Sequence, residues 1–161
     1  MTRYLLWTAC LTALTPVFGQ TVINPGASLQ SAVDNAAPGA TLALNAGTYN
    51  LPGTLVITKA LTIVSNTPGA RPVLQLAGGA VVGVDIKASN VRLESLRIAG
   101  PMWGVYAGSP STQYSNITVR NLAINAVNGA NPGHGLYFGN VLNAVLDSNL
   151  IEAAPQTGII V

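Results

Sequence analysis

From Gly83 onward the chain alternates apolar and polar positions in two phrases that keep returning. The first reads glycine, apolar, variable, apolar: Gly83-Val84-Asp85-Ile86, Gly104-Val105-Tyr106-Ala107, Gly135-Leu136-Tyr137-Phe138 and Gly158-Ile159-Ile160-Val161. The second lies between them, at Asn90 to Ile98, Asn116 to Ile124 and Asn143 to Ile151, each opening on Asn. The leading glycines recur after 21, 31 and 23 residues. Short period-2 strands that return every 20 to 30 residues or so mark a β-solenoid, because one repeat cannot bury its own apolar face.

Alternation also assigns the faces. Successive strand side chains point opposite ways, so Val91, Leu93, Leu96 and Ile98 turn inward in one repeat. Ile117, Val119, Leu122 and Ile124 repeat that set, and Ala144, Leu146, Asn149 and Ile151 repeat it again. Leu96, Leu122 and Asn149 each follow a two-residue corner, where Asn is expected because it tolerates left-handed backbone and bonds locally. In the glycine-led strands the variable position points outward, giving the column Asp85, Tyr106, Tyr137, Ile160. Before each glycine stand Val82, Trp103, His134 and Thr157.

Upstream, Ser28 to Ala36 has the helical pattern. Leu29, Ala32, Val33 and Ala36 fall on one face, Ser28 caps the start and Pro38-Gly39 ends it. Laid over the first coil, such a helix would plug an apolar end with unpaired strand edges. Thr41 to Leu44, Leu55 to Ile57, Leu61 to Ile63 and Val73 to Leu76 are strand-length runs bounded by turn residues.

Met1 to Gly19 reads as a secretory signal peptide, with Arg3 at the positive end and a mostly apolar run from Tyr4 to Val17. That run is shorter than the roughly 20 residues a spanning helix needs, and Pro16 interrupts it. Cys10, the only cysteine, leaves with the leader, so the exported chain is expected to hold together without a disulfide. Gln20 to Val161 is expected to be one domain, secreted to an extracellular or periplasmic space. Hydrophobic residues make up 49% of the chain and charged ones only 7%, which demands an extended apolar core. Net charge is near zero once Arg3 is gone, and no basic patch with interleaved aromatics occurs, so nucleic acid is not an expected partner. No basic amphipathic helix points to a membrane surface after leader cleavage.

Ser28-Leu29-Gln30, Pro38-Gly39-Ala40-Thr41-Leu42-Ala43-Leu44-Asn45-Ala46-Gly47-Thr48-Tyr49 and Ile57 to Ile63, together with the later repeats, resemble right-handed parallel β-helix proteins of the pectin-lyase-like superfamily. The resemblance covers nearly all of the chain after Gly19. It implies an all-β fold, a right-handed parallel β-helix of three short strands per coil with a short N-terminal capping helix. It also implies a sugar-binding groove on the outer face of one strand stack. Lyases, hydrolases, epimerases and non-catalytic adhesins all share that superfamily.

Trp103, Tyr106, His134 and Tyr137 are the candidate substrate-binding residues, because flat aromatic faces pack against pyranose rings. The alternative is that Tyr106 and Tyr137 form a ladder that only stabilises the sheet. Gly133-His134-Gly135 resembles a polygalacturonase motif, yet the carboxylates that chemistry needs are missing upstream, where Met102 and Trp103 stand. His134 is therefore read first as an exposed loop residue and second as a groove contact. Asn128 and Asn131, in the longer loop before His134, are further hydroxyl partners. No acids stand paired at metal spacing, so no metal and no cofactor are expected. Arg92, Arg97 and Arg120 read as solvated corners rather than an acidic-glycan site.

Asn116-Ile117-Thr118 matches a glycosylation acceptor, though Asn116 is simply the leading Asn of its repeat. The stop inside a strand at Val161 reads as the front part of a longer solenoid, with end-to-end self-association through the open edge. The expected function is a secreted protein that binds a polysaccharide along the outer strand face, with processing of lyase, hydrolase or epimerase type left open. The rival is a non-catalytic adhesion or scaffold solenoid.

Overall fold

The computed structural model describes residues 19–125, 134–152 and 157–161. The leader reading therefore lies almost wholly outside the described residues, as do Asn128 and Asn131. Strand β1 (Gln20–Ile23) and helix α1 (Leu29–Asn35) open the described chain. The first rung follows as β2 (Thr41–Leu44), β3 (Thr48–Leu51) and β4 (Leu55–Ile57). The second is β5 (Leu61–Ser65), β6 (Val73–Leu76) and β7 (Val82–Ile86). Next come β8 (Val91–Glu94), β9 (Arg97–Ala99) and β10 (Trp103–Gly108), then β11 (Tyr114–Arg120), β12 (Ala123–Asn125) and β13 (His134–Gly139). The fifth rung is β14 (Val141–Asp147), β15 (Leu150–Glu152) and β16 (Thr157–Ile160).

Each rung gives one strand to each of three sheets. Sheet A runs β1-β2-β5-β8-β11-β14, sheet B runs β3-β6-β9-β12-β15 and sheet C runs β4-β7-β10-β13-β16. The paired strands are parallel throughout, as in β8 on β11 and β10 on β13. The described fold is all-β with three parallel sheets and one short helix, an arrangement consistent with a β-helix-like solenoid. None of the described helices is long and apolar enough to cross a membrane.

The inward columns fall where the alternation puts them. Val91, Leu93, Leu96 and Ile98 are buried, and Ile117, Val119, Leu122 and Ile124 are buried above them. Ala144, Leu146 and Ile151 pack on that core but are only partly covered. Each column pairs in register, Val119 with Leu93 on one side and Leu146 on the other. The alternation also hides two strands that the run pattern did not single out, β1 and β3, which are short and rich in polar residues.

The corners fall where the sequence reading puts them, at Glu94-Ser95, Arg120-Asn121 and Asp147-Ser148. The left-handed residues are Ser95, Asn121 and Ser148, with φ of 56°, 51° and 55°, one position before Leu96, Leu122 and Asn149. Asn149 turns inward, as its column requires, and reaches back one rung. Its Oδ1 accepts from Leu122 N at 3.0 Å and its Nδ2 donates to Val119 O at 2.9 Å. The leading asparagines Asn90, Asn116 and Asn143 are left-handed too, and they form a ladder. Asn116 Nδ2 donates to Asn90 Oδ1 at 3.0 Å, and Asn143 Nδ2 donates to Asn116 Oδ1 at 3.2 Å. A short polar side chain tolerates φ near +57° because it bonds locally in place of the lost regular pairing.

Helix α1 covers the start of the stack. Ser28 Oγ accepts from Ser31 N at 3.3 Å as the N-cap, and Leu29 and Val33 are buried against the first rung. β4 is the edge of sheet C, and its exposed backbone is met by one side chain. Val56 N donates to Gln30 Oε1 at 2.9 Å, and Gln30 Nε2 donates to Val56 O at 3.1 Å. The primary amide thus stands in for the missing strand. Lys59 Nζ donates to Asp34 O and Ala36 O, at 2.7 and 3.0 Å, and satisfies carbonyls at the helix C-terminus.

The repeated glycines have a steric cause. A Cβ on Gly104 would lie 2.4 Å from Ile124 Cγ2 and 2.5 Å from Gly135 O. Gly135 is equally closed, by Ile151 Cγ2 and Gly158 O at 2.6 Å. Gly158 would meet only Ile151 Cδ1, at 3.8 Å.

Two outcomes are expected. Gly104→Ala and Gly135→Ala should each cost about 1–3 kcal/mol by overpacking, while Gly158→Ala is close to neutral in thermal melts. Equal effects at all three glycines would contradict the steric assignment. Gln30→Ala should cost about 1–3 kcal/mol and speed exchange of the Val56 amide proton, whereas a Val56 amide that stays protected would show that Gln30 is not its partner.

Candidate functional site

Sheet C brings the aromatic residues together on its outer face. In register, Trp103 pairs with Val82 and His134, and Tyr106 pairs with Asp85 and Tyr137. Trp103 and Tyr106 are three apart, so on a regular strand they would point to opposite faces. The ladder skips the glycines: Trp103 pairs with His134 and Val105 with Leu136, leaving Gly104 and Gly135 unpaired. That irregularity shifts the alternation by one, in the manner of a bulge. Gly104 and Val105 are both buried, while Trp103 and Tyr106 both stay half-buried on the outside.

A second glycine pair shapes the rings' bed. A Cβ on Gly108 would stand 3.0 Å from Tyr137 Cε1 and 3.3 Å from Tyr106 Cζ. A Cβ on Gly139 would stand 2.9 Å from Tyr137 Cε1. The tyrosine rings therefore lean along the strands over the glycines two residues on.

The four candidate residues form one cluster. Tyr106 and Tyr137 stack with centroids 4.9 Å apart and planes 4° from parallel. Trp103 lies 5.5 Å from each tyrosine, tilted by 53° and 51°. His134 meets Trp103 edge-on at 4.8 Å and 80°. His134 is thus the first residue of β13, half-buried against an indole, and not the exposed loop residue expected. Its Nδ1 is buried and has no hydrogen-bond partner among the described residues.

The tyrosine stack is a ladder, and it occupies one face of each ring. It ends at the second rung, where Val82 and Asp85 replace Trp and Tyr. The step leaves a cleft of about 240 Å³ lined by Val81, Val82, Asp85, Trp103 and Tyr106. Its wall is the side of Tyr106 turned away from Tyr137. Asp85 Oδ2 accepts from Lys87 Nζ at 2.9 Å, while Asp85 Oδ1 is buried without a partner among the described residues. The hydrogen bond and the charge of Asp85 raise the Lys87 pKa. Past the ends of the strands a second cleft, of about 390 Å³, lies between the tyrosines and Ser109, Pro110 and Asn140.

Asp85 is the one carboxylate that the described residues bring to this face. Glu94 and Asp147 belong to sheet A and Glu152 to sheet B. Among the described residues no three His, Cys, Asp or Glu side chains gather as donors for a metal ion. The corner arginines are neutralised locally. Arg92 Nε donates to Glu94 Oε2 at 2.8 Å, Arg120 Nε to Asp147 Oδ2 at 2.7 Å, and Arg97 lies 3.9 Å from Glu152. The Arg120 hydrogen bond, with a second from Ser148, holds the Asp147 carboxyl below its ordinary pKa.

Val82 and Asp85 were visible in the sequence as members of the columns, but only as the exceptions to an aromatic pattern. That exception is the signal for the cleft. Comparison with protein-family models, with curated proteins and with solved structures finds no match.

Asp85→Asn should return the Lys87 ammonium toward its ordinary value of 10.5. The raised folded pKa means that this pair contributes stability below the ordinary value and loses it as pH rises through the folded one. A side-chain NMR titration giving Lys87 the same pKa in both proteins would show that the pair does not form in solution.

Proposed function

We propose that this protein binds a polysaccharide on the outer face of sheet C, seating one pyranose ring in the cleft where the aromatic ladder ends. The observation that carries this reading is Asp85 Oδ1, an unpartnered carboxylate oxygen beneath the wall of Trp103 and Tyr106. A sugar offers both kinds of contact at once: a C–H face for the rings and hydroxyls for the carboxylate. The cleft's size suits one ring, and the second cleft beyond the tyrosines would take a neighbouring unit of the chain. Asp85 Oδ1 is an acceptor, so it favours a sugar hydroxyl over a uronate carboxylate here. Tyr137 stacks behind Tyr106 and fixes its ring, so ladder and binding wall are two parts of one device.

The rung order supports a right-handed parallel β-helix, since parallel crossovers are right-handed in nearly all cases. Together with the sequence resemblance, this supports reading the chain as a pectin-lyase-like protein, exported by a leader, that engages glycans. The reading is one of recognition: glycoside hydrolysis asks for two carboxylates flanking the bond, and Asp85 stands alone on the described face. The scaffold reading keeps one observation in its favour, the tyrosine stack itself.

The test uses a Trp7→Phe background, which leaves Trp103 as the sole indole. Neutral plant, algal and bacterial polysaccharides should change its fluorescence saturably, and polyuronates less so. Tyr106→Ala and Asp85→Asn should weaken binding by about 1–2 kcal/mol, with Tyr137→Ala weaker in effect and the melting temperature little changed. If no glycan alters the fluorescence and Tyr106→Ala unfolds the protein, the ladder is structural and the scaffold reading stands.

A further inference from the structure

Between β5 and β6 the chain spends residues 66–72 on a corner that β8 to β9, β11 to β12 and β14 to β15 each turn in two residues. The added length contains Pro68, Gly69 at φ 77° and Pro72; its residues 66–69 are exposed, while Pro72 is buried and its carbonyl accepts from Arg97 N at 2.9 Å. With the corner residues Ser95 and Asn121 it encloses a cleft of about 600 Å³. Arg71 closes one side. Its Nη2 donates to Asn121 Oδ1, so the side chain runs from the second rung across the third to the fourth.

The hydrogen-bond inventory of this cleft is unbalanced. Three of its side-chain acceptors are engaged: Asn121 Oδ1 by Arg71, Ser95 Oγ by Asn121 Nδ2 at 2.9 Å, and Asn66 Oδ1 by Gln20 Nε2 at 3.2 Å. Ser65 Oγ accepts from Thr67 N at 3.2 Å and gives its own proton to Thr67 O at 2.9 Å. The donors are not spent. Among the described residues Arg71 uses one of its five N–H groups, and the hydroxyl protons of Thr67 and Ser95 have no acceptor. No carboxylate lines the cleft, and Arg71 is the one described arginine without a carboxylate at ion-pair distance.

We propose that this corner cleft is an oxyanion-binding site, separate from the aromatic face, that takes the carboxylate or sulfate of an acidic sugar. A planar guanidinium tethered at one nitrogen presents its remaining N–H groups in a fixed fork that matches two oxygens of such a group. Thr67 and Ser95 supply hydroxyl donors to the same space. The volume exceeds what a bare ion fills and leaves room for the sugar that carries it. The shared chemistry is the oxyanion, so a free inorganic anion occupies the site by the same contacts.

The experiment is an NMR titration of the full chain, following the amides of Gly69, Ala70, Ser95 and Asn121. The probes are sodium sulfate, sodium glucuronate and a uronic-acid trisaccharide, with sodium chloride at matched ionic strength. Saturable shifts at these four amides are expected, and Arg71→Gln should raise the dissociation constant about 10- to 100-fold, the range for charged hydrogen bonds. Arg71→Lys should recover little of it, because a single ammonium cannot reproduce the fork. Tighter binding of the trisaccharide than of sulfate would assign the site to an acidic glycan; equal binding would assign it to the free anion, and both uphold the oxyanion. Shifts that only track ionic strength, or an unchanged dissociation constant in Arg71→Gln, overturn it. Should Arg71→Gln not fold, Thr67→Val, which leaves the Arg71–Asn121–Ser95 contacts in place, decides the matter: binding that it does not weaken overturns the site.

Discussion

In-register parallel pairing between neighbouring rungs is the constraint on which the structure depends. A rung of three short strands has an apolar inside and no partner of its own, so Leu93 is buried only because Ile63 and Val119 lie on either side of it. One-residue slippage in any sheet would turn that inward column out to water. Register is therefore fixed by the same contacts that supply the stability. The glycines enforce it further, since Gly104 fits only with Ile124 and the Gly135 carbonyl at their observed places.

That constraint passes its cost to the corners and to the edge. Sharp corners need left-handed backbone, and the chain supplies Asn and Ser there, with the Asn90–Asn116–Asn143 amides bonding along the stack. The stack also begins with unpaired backbone, an open template for further strands. Helix α1 hides the apolar part of that end, and Gln30 meets the peptide group of Val56 with the one side chain whose donor and acceptor mimic a peptide. The polar links are each modest, yet they sit where the apolar core cannot reach.

The same register builds the candidate sites. Stacking at strand spacing puts Tyr106 on Tyr137 whether or not anything binds, and a cleft arises only because the second rung carries Val82 and Asp85 instead of aromatics. At the corner the logic is reversed: extra residues, not smaller ones, open the space that Arg71 spans. Both features are departures from the repeat. A strictly regular stack would present flat, self-satisfied faces with nothing left to offer a ligand.

The inward columns, the helix, the outer aromatic column and the corner positions were legible from the sequence, because period-2 alternation and turn chemistry are local and repeat themselves. Aligning the glycines set Trp103 and Tyr106 on one side, but local pattern could not say that Gly104 drops out of the ladder, which is what lets two residues three apart share a face. Nor could it place His134 in a strand, since the Gly-His-Gly context reads as a loop. The partner of Asn149, the cover of Val56 by Gln30 and the reach of Arg71 to Asn121 join residues 26 to 50 positions apart. Such contacts depend on which rung lies over which and on how far a loop stands off. Sequence alone determined the repeat and its buried face; only the stacked structure decided where the repeat is broken, because a break becomes a site only beside its neighbours.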